Sequence, residues 1–277
     1  MTINKQMMEF VDSFWPLDDI HRALPTSYAL HLEYLRKHFD PQIIDRLDTI
    51  VKQRDEIMKR GGSGHDEYQQ VTNIVFENRL HDVWCPSAIV GSRIALGLLL
   101  QELCSVQKPF SILDMGCGSG MVDIGLALRL PQLQHVYAVD RGAEALDVFR
   151  ENIDAHIPER RDMFTFLNHD YKSQSFQSVF KEVEPLGVPY ILSVFPFSSR
   201  DTLDFFPHFM SVDGNILCCA SVYKDNDEFS WDEYLDAWQS GDRPYAFHNY
   251  GLDWRYVNYS EMSPKMVVEL IKITQVI

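Results

Sequence analysis

The chain is short of positive charge, long apolar runs and paired cysteines, and each shortage excludes a class of protein. Lys and Arg number 25 against 40 Asp and Glu, a formal charge of -15. That balance repels phosphate backbones and disfavours a nucleic acid partner. The N-terminus, MTINKQMMEF, has no basic segment leading into an apolar one, so it does not read as a secretory signal. The longest apolar stretch, Ile94 to Leu100, is far too short to cross a bilayer. No membrane partner is expected, and a cytoplasmic location is. The five cysteines, Cys85, Cys104, Cys117, Cys218 and Cys219, are odd in number and form no C-x-x-C pair. Four stand among apolar residues, so they read as reduced and mostly core. No Cys/His cluster suggests zinc, and internal repeats and low-complexity tracts are missing too.

What is present is enough chain for a full core, 277 residues at 45% hydrophobic, suited to one large domain or one domain with an extension. The organising stretch is Phe110 to Gly120, FSILDMGCGSG. Apolar residues lead into Asp114, glycines alternate at Gly116, Gly118 and Gly120, and an apolar run resumes at Met121. This reads as a buried parallel strand, a tight turn and a helix, with glycines that permit positive φ and close approach of a ligand to the main chain. Further on, HVYAVD (His135 to Asp140) reads as a second buried strand ending in a carboxylate, where a doubly wound sheet presents an acid to ribose hydroxyls. A dinucleotide site wants its third glycine where this chain has Met121.

The pattern D-x-G-x-G-x-G joined to Asp140 resembles the first two motifs of class I S-adenosylmethionine-dependent methyltransferases. The resemblance runs from about Ser87 to the C-terminus. It implies a Rossmann-like, doubly wound α/β sheet of seven strands, the last antiparallel, in residues 86–277, with residues 1–85 as a helical N-terminal cap over the substrate. It also implies S-adenosylmethionine as cofactor, with contacts from Asp114, Gly116, Cys117, Gly118, Gly120, Asp140, Arg141, Asp170, Tyr171 and Ser193. Of these, Asp170 would accept from the adenine amino group, with Tyr171 beside the ring.

In the N-terminal part, Asp40-Pro41 is a good helix start, and Ile43, Ile44, Leu47, Ile50, Val51 and Ile57 follow at helical spacing. Gly61-Gly62-Ser63-Gly64 breaks the pattern, as a flexible connection or as a hinge that lets the helices close over substrate. A second helix runs through Val71, Ile74, Val75 and Leu80, and a long apolar one covers Ala88 to Cys104. By resemblance, the residues before that last helix, His81, Asp82, Trp84 and Ser87, lie near the methionine end of the cofactor. Trp84 could stabilise a sulfonium with its indole face or pack as core. His81 and His169 are candidate bases, the latter with a capping role as the plainer reading.

Later elements are expected as a helix over Arg141 to Ile153 and strands over Met163 to Leu167, Tyr190 to Phe195, Asn215 to Val222, around Arg255 to Tyr259, and Met266 to Val276. The fourth strand ends in Val194-Phe195-Pro196-Phe197. Amide N-methyltransferases often carry Asn-Pro-Pro-Tyr there, so the last two positions match and the polar one is lost. The helix WCPSAIVGSRIALGLLL followed by ILDMGCGSG and AVDRGAEAL is also similar to the layout of the protein-glutamine methyltransferases, which carry an N-terminal helical domain. Metal-dependent catechol-type methyltransferases place an acid at the end of the fourth strand and an Asp-Asn pair after the fifth; here Ser193 and Val194 stand at the first place, so Asp225-Asn226-Asp227-Glu228 reads as a solvated loop and no metal site is expected. The aromatics Phe229, Trp231, Tyr234 and Trp238 follow at helical spacing, which reads first as packing.

The expectation is methyl transfer to O or N of a small organic acceptor held by Trp84, Phe195 and Phe197. The alternatives are a protein (glutamine-type) N-methyltransferase, a protein that binds the cofactor without transferring methyl, and an interaction module. Deleting the residues before about Gly61 is expected to spare cofactor binding and remove turnover.

Overall fold

A computed structural model describes residues 3–17, 28–170, 173–194, 206–223, 245–254 and 266–275. Among the described residues six helices come first: α1 (Lys5–Phe14), α2 (Tyr28–His38), α3 (Pro41–Lys59), α4 (His65–Glu77), the single turn α5 (His81–Trp84) and α6 (Pro86–Leu103). The α/β part follows as β1 (Phe110–Met115), α7 (Met121–Arg129), β2 (Leu133–Asp140), α8 (Ala143–His156), β3 (Phe164–Asn168), α9 (Gln174–Val183), β4 (Val188–Val194), β5 (Met210–Tyr223), β6 (Tyr245–Trp254) and β7 (Met266–Gln275). Short 3₁₀ turns precede β3 and β5.

The sheet order is β3-β2-β1-β4-β5-β7-β6. Strands β1 to β5 pair in parallel, while β7 runs antiparallel to both β5 and β6. This is a Rossmann-like parallel α/β sheet with a helical region before it. Strand β6 ends at Trp254, earlier than the strand expected around Arg255 to Tyr259, which lies outside the described residues. Strand β5 starts at Met210 rather than Asn215.

The central strands are apolar on both faces because helices cover both. Along β1, Phe110 and Ile112 face one layer, with Ile94 and Leu98 of α6, Ile124 of α7 and Phe149 of α8. Leu113 and Met115 face the other, with Phe176 and Phe180 of α9 and with Phe206 and Phe209. The same two-residue alternation divides Val136 and Ala138 from Tyr137 and Val139 on β2. Of the cysteines, Cys117, Cys218 and Cys219 are buried, whereas Cys85 and Cys104 are exposed, so Cys104 is not core.

The helices before residue 85 divide into two groups. Helix α1 belongs to the sheet layer, with Val11 fully buried against α6 and an Asp12–Arg93 ion pair between the two helices. Helices α2 to α5 make a core of their own from Leu32, Leu35, Ile44, Leu47, Val71, Ile74, Leu80 and Val83. Asp40 caps α3, accepting from the Gln42 N–H at 2.9 Å, and Pro41 fills the first turn as expected. The glycine run that follows closes α3 tightly. Gly61 N–H donates to Met58 O and Gly62 N–H to Ile57 O, each at 2.9 Å, the paired bonds of a Schellman cap. A Cβ on Gly62 would lie 2.5 Å from Ile57 Cγ2, so Gly62 is packed, while Gly61 supplies the positive φ of 82°. Helix α4 also packs on α8, and Arg79, just past its end, pairs with Glu151 of α8. These contacts fasten the helical region over the C-terminal ends of the strands.

Candidate active site

The turn after β1 is drawn toward β2 by two backbone bonds, Gly116 N–H and Cys117 N–H to Val139 O, at 2.8 and 3.0 Å. Asp140, the last residue of β2, then ties two turns together. Its Oδ2 accepts from Gly118 N–H at 3.1 Å and its Oδ1 from Gly142 N–H at 2.8 Å. Burial pushes the Asp140 carboxyl up, and the N–H groups of Gly142 and Gly118 pull against that. Each oxygen keeps acceptor capacity for a further donor.

Two glycines of this turn have different tasks. Among the described residues, Gly118, with φ of 53°, meets only Phe76 Cζ, 3.8 Å from where a Cβ would stand. That leaves bare main chain facing open space. At Gly120 a Cβ would lie 2.0 Å from Phe149 Cδ2, so this glycine admits the α8 ring against the start of α7 and serves packing.

Beyond the turn lies a cavity of about 490 Å³, within the range of small-molecule sites. Its floor is Asp114 to Ser119, Asp140, Arg141, Asp170 and Val194. Its roof comes from the N-terminal helices, through Arg54, His65, Tyr68, Gln69, Phe76, His81 and Trp84. Arg141 fastens roof to floor by donating to Gln69 and meeting the ring of His65, both on α4. Gln69 donates in turn to Asn73 at 2.6 Å. His81 stacks on Phe76 at 5.3 Å and 10°. Burial lowers its pKa, with Asp82 acting the other way, so the imidazole is neutral at pH 7. The Arg54 guanidinium sits over the Tyr68 ring at 5.6 Å.

Of the residues singled out from sequence, Asp114, Gly116, Cys117, Gly118, Asp140, Arg141, Asp170, His81 and Trp84 line this one cavity. Three stand elsewhere. Ser193 is fully buried and its neighbour Val194 faces the cavity instead. Gly120 packs on Phe149, and the His169 ring points toward Phe176, 6.2 Å away. Tyr171, Phe195, Phe197 and the Asp225 to Glu228 cluster lie outside the described residues. Sequence reasoning missed the α4 contribution, whose signal is the polar series His65, Gln69 and Asn73 at four-residue spacing. It also missed Asp123, a carboxyl in the first turn of an apolar helix. Among the described residues no group of His, Cys, Asp and Glu could hold a metal ion, and no helix is long and apolar enough to cross a membrane.

A glycine turn after β1 and an acid ending β2, on a parallel sheet ordered β3-β2-β1-β4-β5, define the S-adenosylmethionine-binding methyltransferase fold. Residues 90–183 match the methyltransferase small domain family, and that segment carries the motifs of the class I S-adenosylmethionine-dependent methyltransferases. It is 45% identical over 97 residues to the release factor glutamine methyltransferase of Chlorobaculum tepidum, covering 35% of this chain and 30% of that one. It is 46% identical over 57 residues to the protein of the same description from Deinococcus radiodurans, covering 21% of this chain and 20% of that one. The chain thus matches less than a third of either relative's length. Among solved structures, an S-adenosylmethionine-dependent methyltransferase from Agrobacterium tumefaciens superposes with a TM-score of 0.48 at 13% identity, over 67% of this chain and 62% of that one.

Proposed function

We propose that this chain transfers a methyl group from S-adenosylmethionine to a nucleophile held under the N-terminal helices. The observation that carries this reading is Asp140, which braces the glycine turn from the floor of a cavity roofed by α3 to α5. The residues fit the cofactor in kind. Gly118 leaves a cradle that a side chain would fill, and Asp114 carries a buried oxygen with no N–H or hydroxyl partner among the described residues. In this reading Asp140 accepts from the ribose hydroxyls and Asp114 from the cofactor's ammonium group, while Asp170 stands at the adenine end. When bound, the cofactor supplies an electrophilic methyl on a sulfonium. The chain's part is to align the acceptor in line with that methyl and to exclude water, which supplies most of the rate. Trp84 and the neutral His81 line the roof where an acceptor would enter, and His81 has the protonation state of a base.

The relatives favour a glutamine side-chain amide of a protein as the acceptor, since both are described as release factor glutamine methyltransferases. A small organic acceptor is the second reading, favoured by Val194. It faces the cavity at the position where amide methyltransferases hold the NH₂ with a polar side chain. Methyl-labelled S-adenosylmethionine, incubated with release factors in one arm and with a panel of small phenols, amines and carboxylic acids in another, tests both. Label in the protein fraction supports the first reading and label only in small molecules the second. No transfer to any acceptor, with the cofactor bound, would refute the assignment.

A further inference from the structure

A pair of carboxyls lies beneath the glycine turn, and the reading above uses only one of them. Asp114 ends β1 and Asp123 sits in the first turn of α7, at 3% and 0% exposure. Neither Asp123 oxygen meets an N–H or hydroxyl among the described residues, and nor does Oδ1 of Asp114. The two carboxyls instead lie within reach of a hydrogen bond to each other. Such a bond requires a proton, because two ionised carboxylates repel. Asp123 is the residue that keeps it. Burial, the charge of Asp114 and the bond itself all push the Asp123 carboxyl well up, whereas the bond from Asp123 pulls Asp114 down against its own burial. The other titratable groups bearing on the pair are Asp140, Cys117 and Cys219. None of these supplies a positive charge.

Asp114 lines the cavity and Asp123 does not. Within the cofactor, Asp140 answers the ribose hydroxyls, and the sulfonium carries no N–H. The group left to satisfy a buried carboxylate is the α-ammonium of the amino-acid end, present on S-adenosylmethionine and S-adenosylhomocysteine alike.

We propose that Asp123 is a positioning residue for cofactor capture: as a protonated acid it donates to Asp114 and holds that carboxylate ionised and oriented for the ligand's ammonium group. This rests on the cofactor reading given above. When the ammonium binds, a proton still on Asp114 leaves to solvent, and Asp123 keeps its own. Recognition of the amino-acid end is therefore proton-linked, and recognition of the nucleoside is not.

The test is calorimetry of S-adenosylhomocysteine and of 5′-methylthioadenosine, which lacks the amino-acid group, from pH 6 to 8.5 in buffers of different ionisation enthalpy. In the full chain, affinity for S-adenosylhomocysteine is expected to rise with pH and level off above about 7, the value to which burial lifts the Asp114 carboxyl. Binding at pH 7 should release about half a proton. The methylthioadenosine profile should be flat. Asp123→Leu, which removes the donor and keeps the volume, should move the rise upward by a pH unit or more and leave methylthioadenosine affinity unchanged. Asp123→Asn, which can still donate, should restore the wild-type profile. Equal profiles for the two ligands in the wild-type protein overturn the proposal without any variant, as does a Leu variant whose S-adenosylhomocysteine profile does not move. Methylthioadenosine affinity falling in step in that variant would make Asp123 merely structural. A wild-type protein that binds neither ligand removes the cofactor reading and this proposal together.

Discussion

Replacing Gly120 and Gly118 separately by alanine should split stability from binding. Both have positive φ, 72° and 53°, so each alanine costs about 1–2 kcal/mol of backbone strain. At Gly118 that is nearly the whole cost, because the new methyl finds only Phe76 Cζ at 3.8 Å, an ordinary contact. At Gly120 the methyl falls 2.0 Å from a ring carbon of Phe149. That ring cannot step aside. It is fully buried and boxed edge-on by Phe164 and Phe166, with centroids at 5.5 and 5.3 Å. Overpacking of this kind adds about 1–3 kcal/mol, for a total of roughly 2–5 kcal/mol at Gly120. Urea unfolding measures this directly, with S-adenosylhomocysteine calorimetry beside it. Gly120→Ala should lose the larger part of its stability margin, while Gly118→Ala loses only about 1–2 kcal/mol and binds at least tenfold more weakly. Equal stability of the two variants, or unimpaired binding by Gly118→Ala, would refute the division of labour.

Three further outcomes are expected. Asp123 has a folded pKa well above its unfolded value, so its contribution to stability is complete below about pH 4 and is lost as pH rises toward the folded value. Asp123→Asn should therefore gain stability relative to wild type by roughly 1.4 kcal/mol per pH unit above about pH 4, and unfolding curves of equal pH slope for the two proteins would contradict this. Deleting the residues before Gly61 should abolish S-adenosylhomocysteine binding as well as turnover, against the expectation from sequence. Val11 belongs to the sheet core, and Ile44 and Leu47 support the buried face of α4; a truncated protein with wild-type affinity would show that α4 stands without them. NAD and NADP should not bind, because Met121 fills the third-glycine position and is buried there at 8% exposure, and micromolar affinity for either would overturn that.

How much was legible in the sequence follows from how local each feature is. Most of the floor of the site was readable because its determinants lie within thirty-odd residues of chain: apolar strand, alternating glycines, helix, strand, acid. Asp140, which the motif singles out as the strand-end acid, falls in that span and bonds Gly118 and Gly142. The roof was not readable in detail. Nothing near His65 and Gln69 in the chain announces that Arg141, more than seventy residues on, will lie against them. Ser193 was expected at the cofactor from the resemblance, yet the two-residue alternation of β4 turns it into the core and Val194 toward the cavity. Asp123 was passed over because an acid in a helix's first turn ordinarily answers the helix dipole from the surface. Here the helix is buried nearly all round, so the same residue becomes half of a proton-sharing pair.

The central claim is that the cavity between the glycine turn and the N-terminal helices takes an S-adenosyl cofactor by its ribose at Asp140. Calorimetry of S-adenosylhomocysteine with the wild-type protein and with Asp140→Ala tests it most directly. Two charge-assisted hydrogen bonds are removed, each worth roughly 1.5–3 kcal/mol at most, and the brace between Gly118 and Gly142 goes with them. The account predicts saturable binding by the wild-type protein and at least a tenfold loss in the variant; no binding by the wild type, or equal affinity in the folded variant, would contradict it.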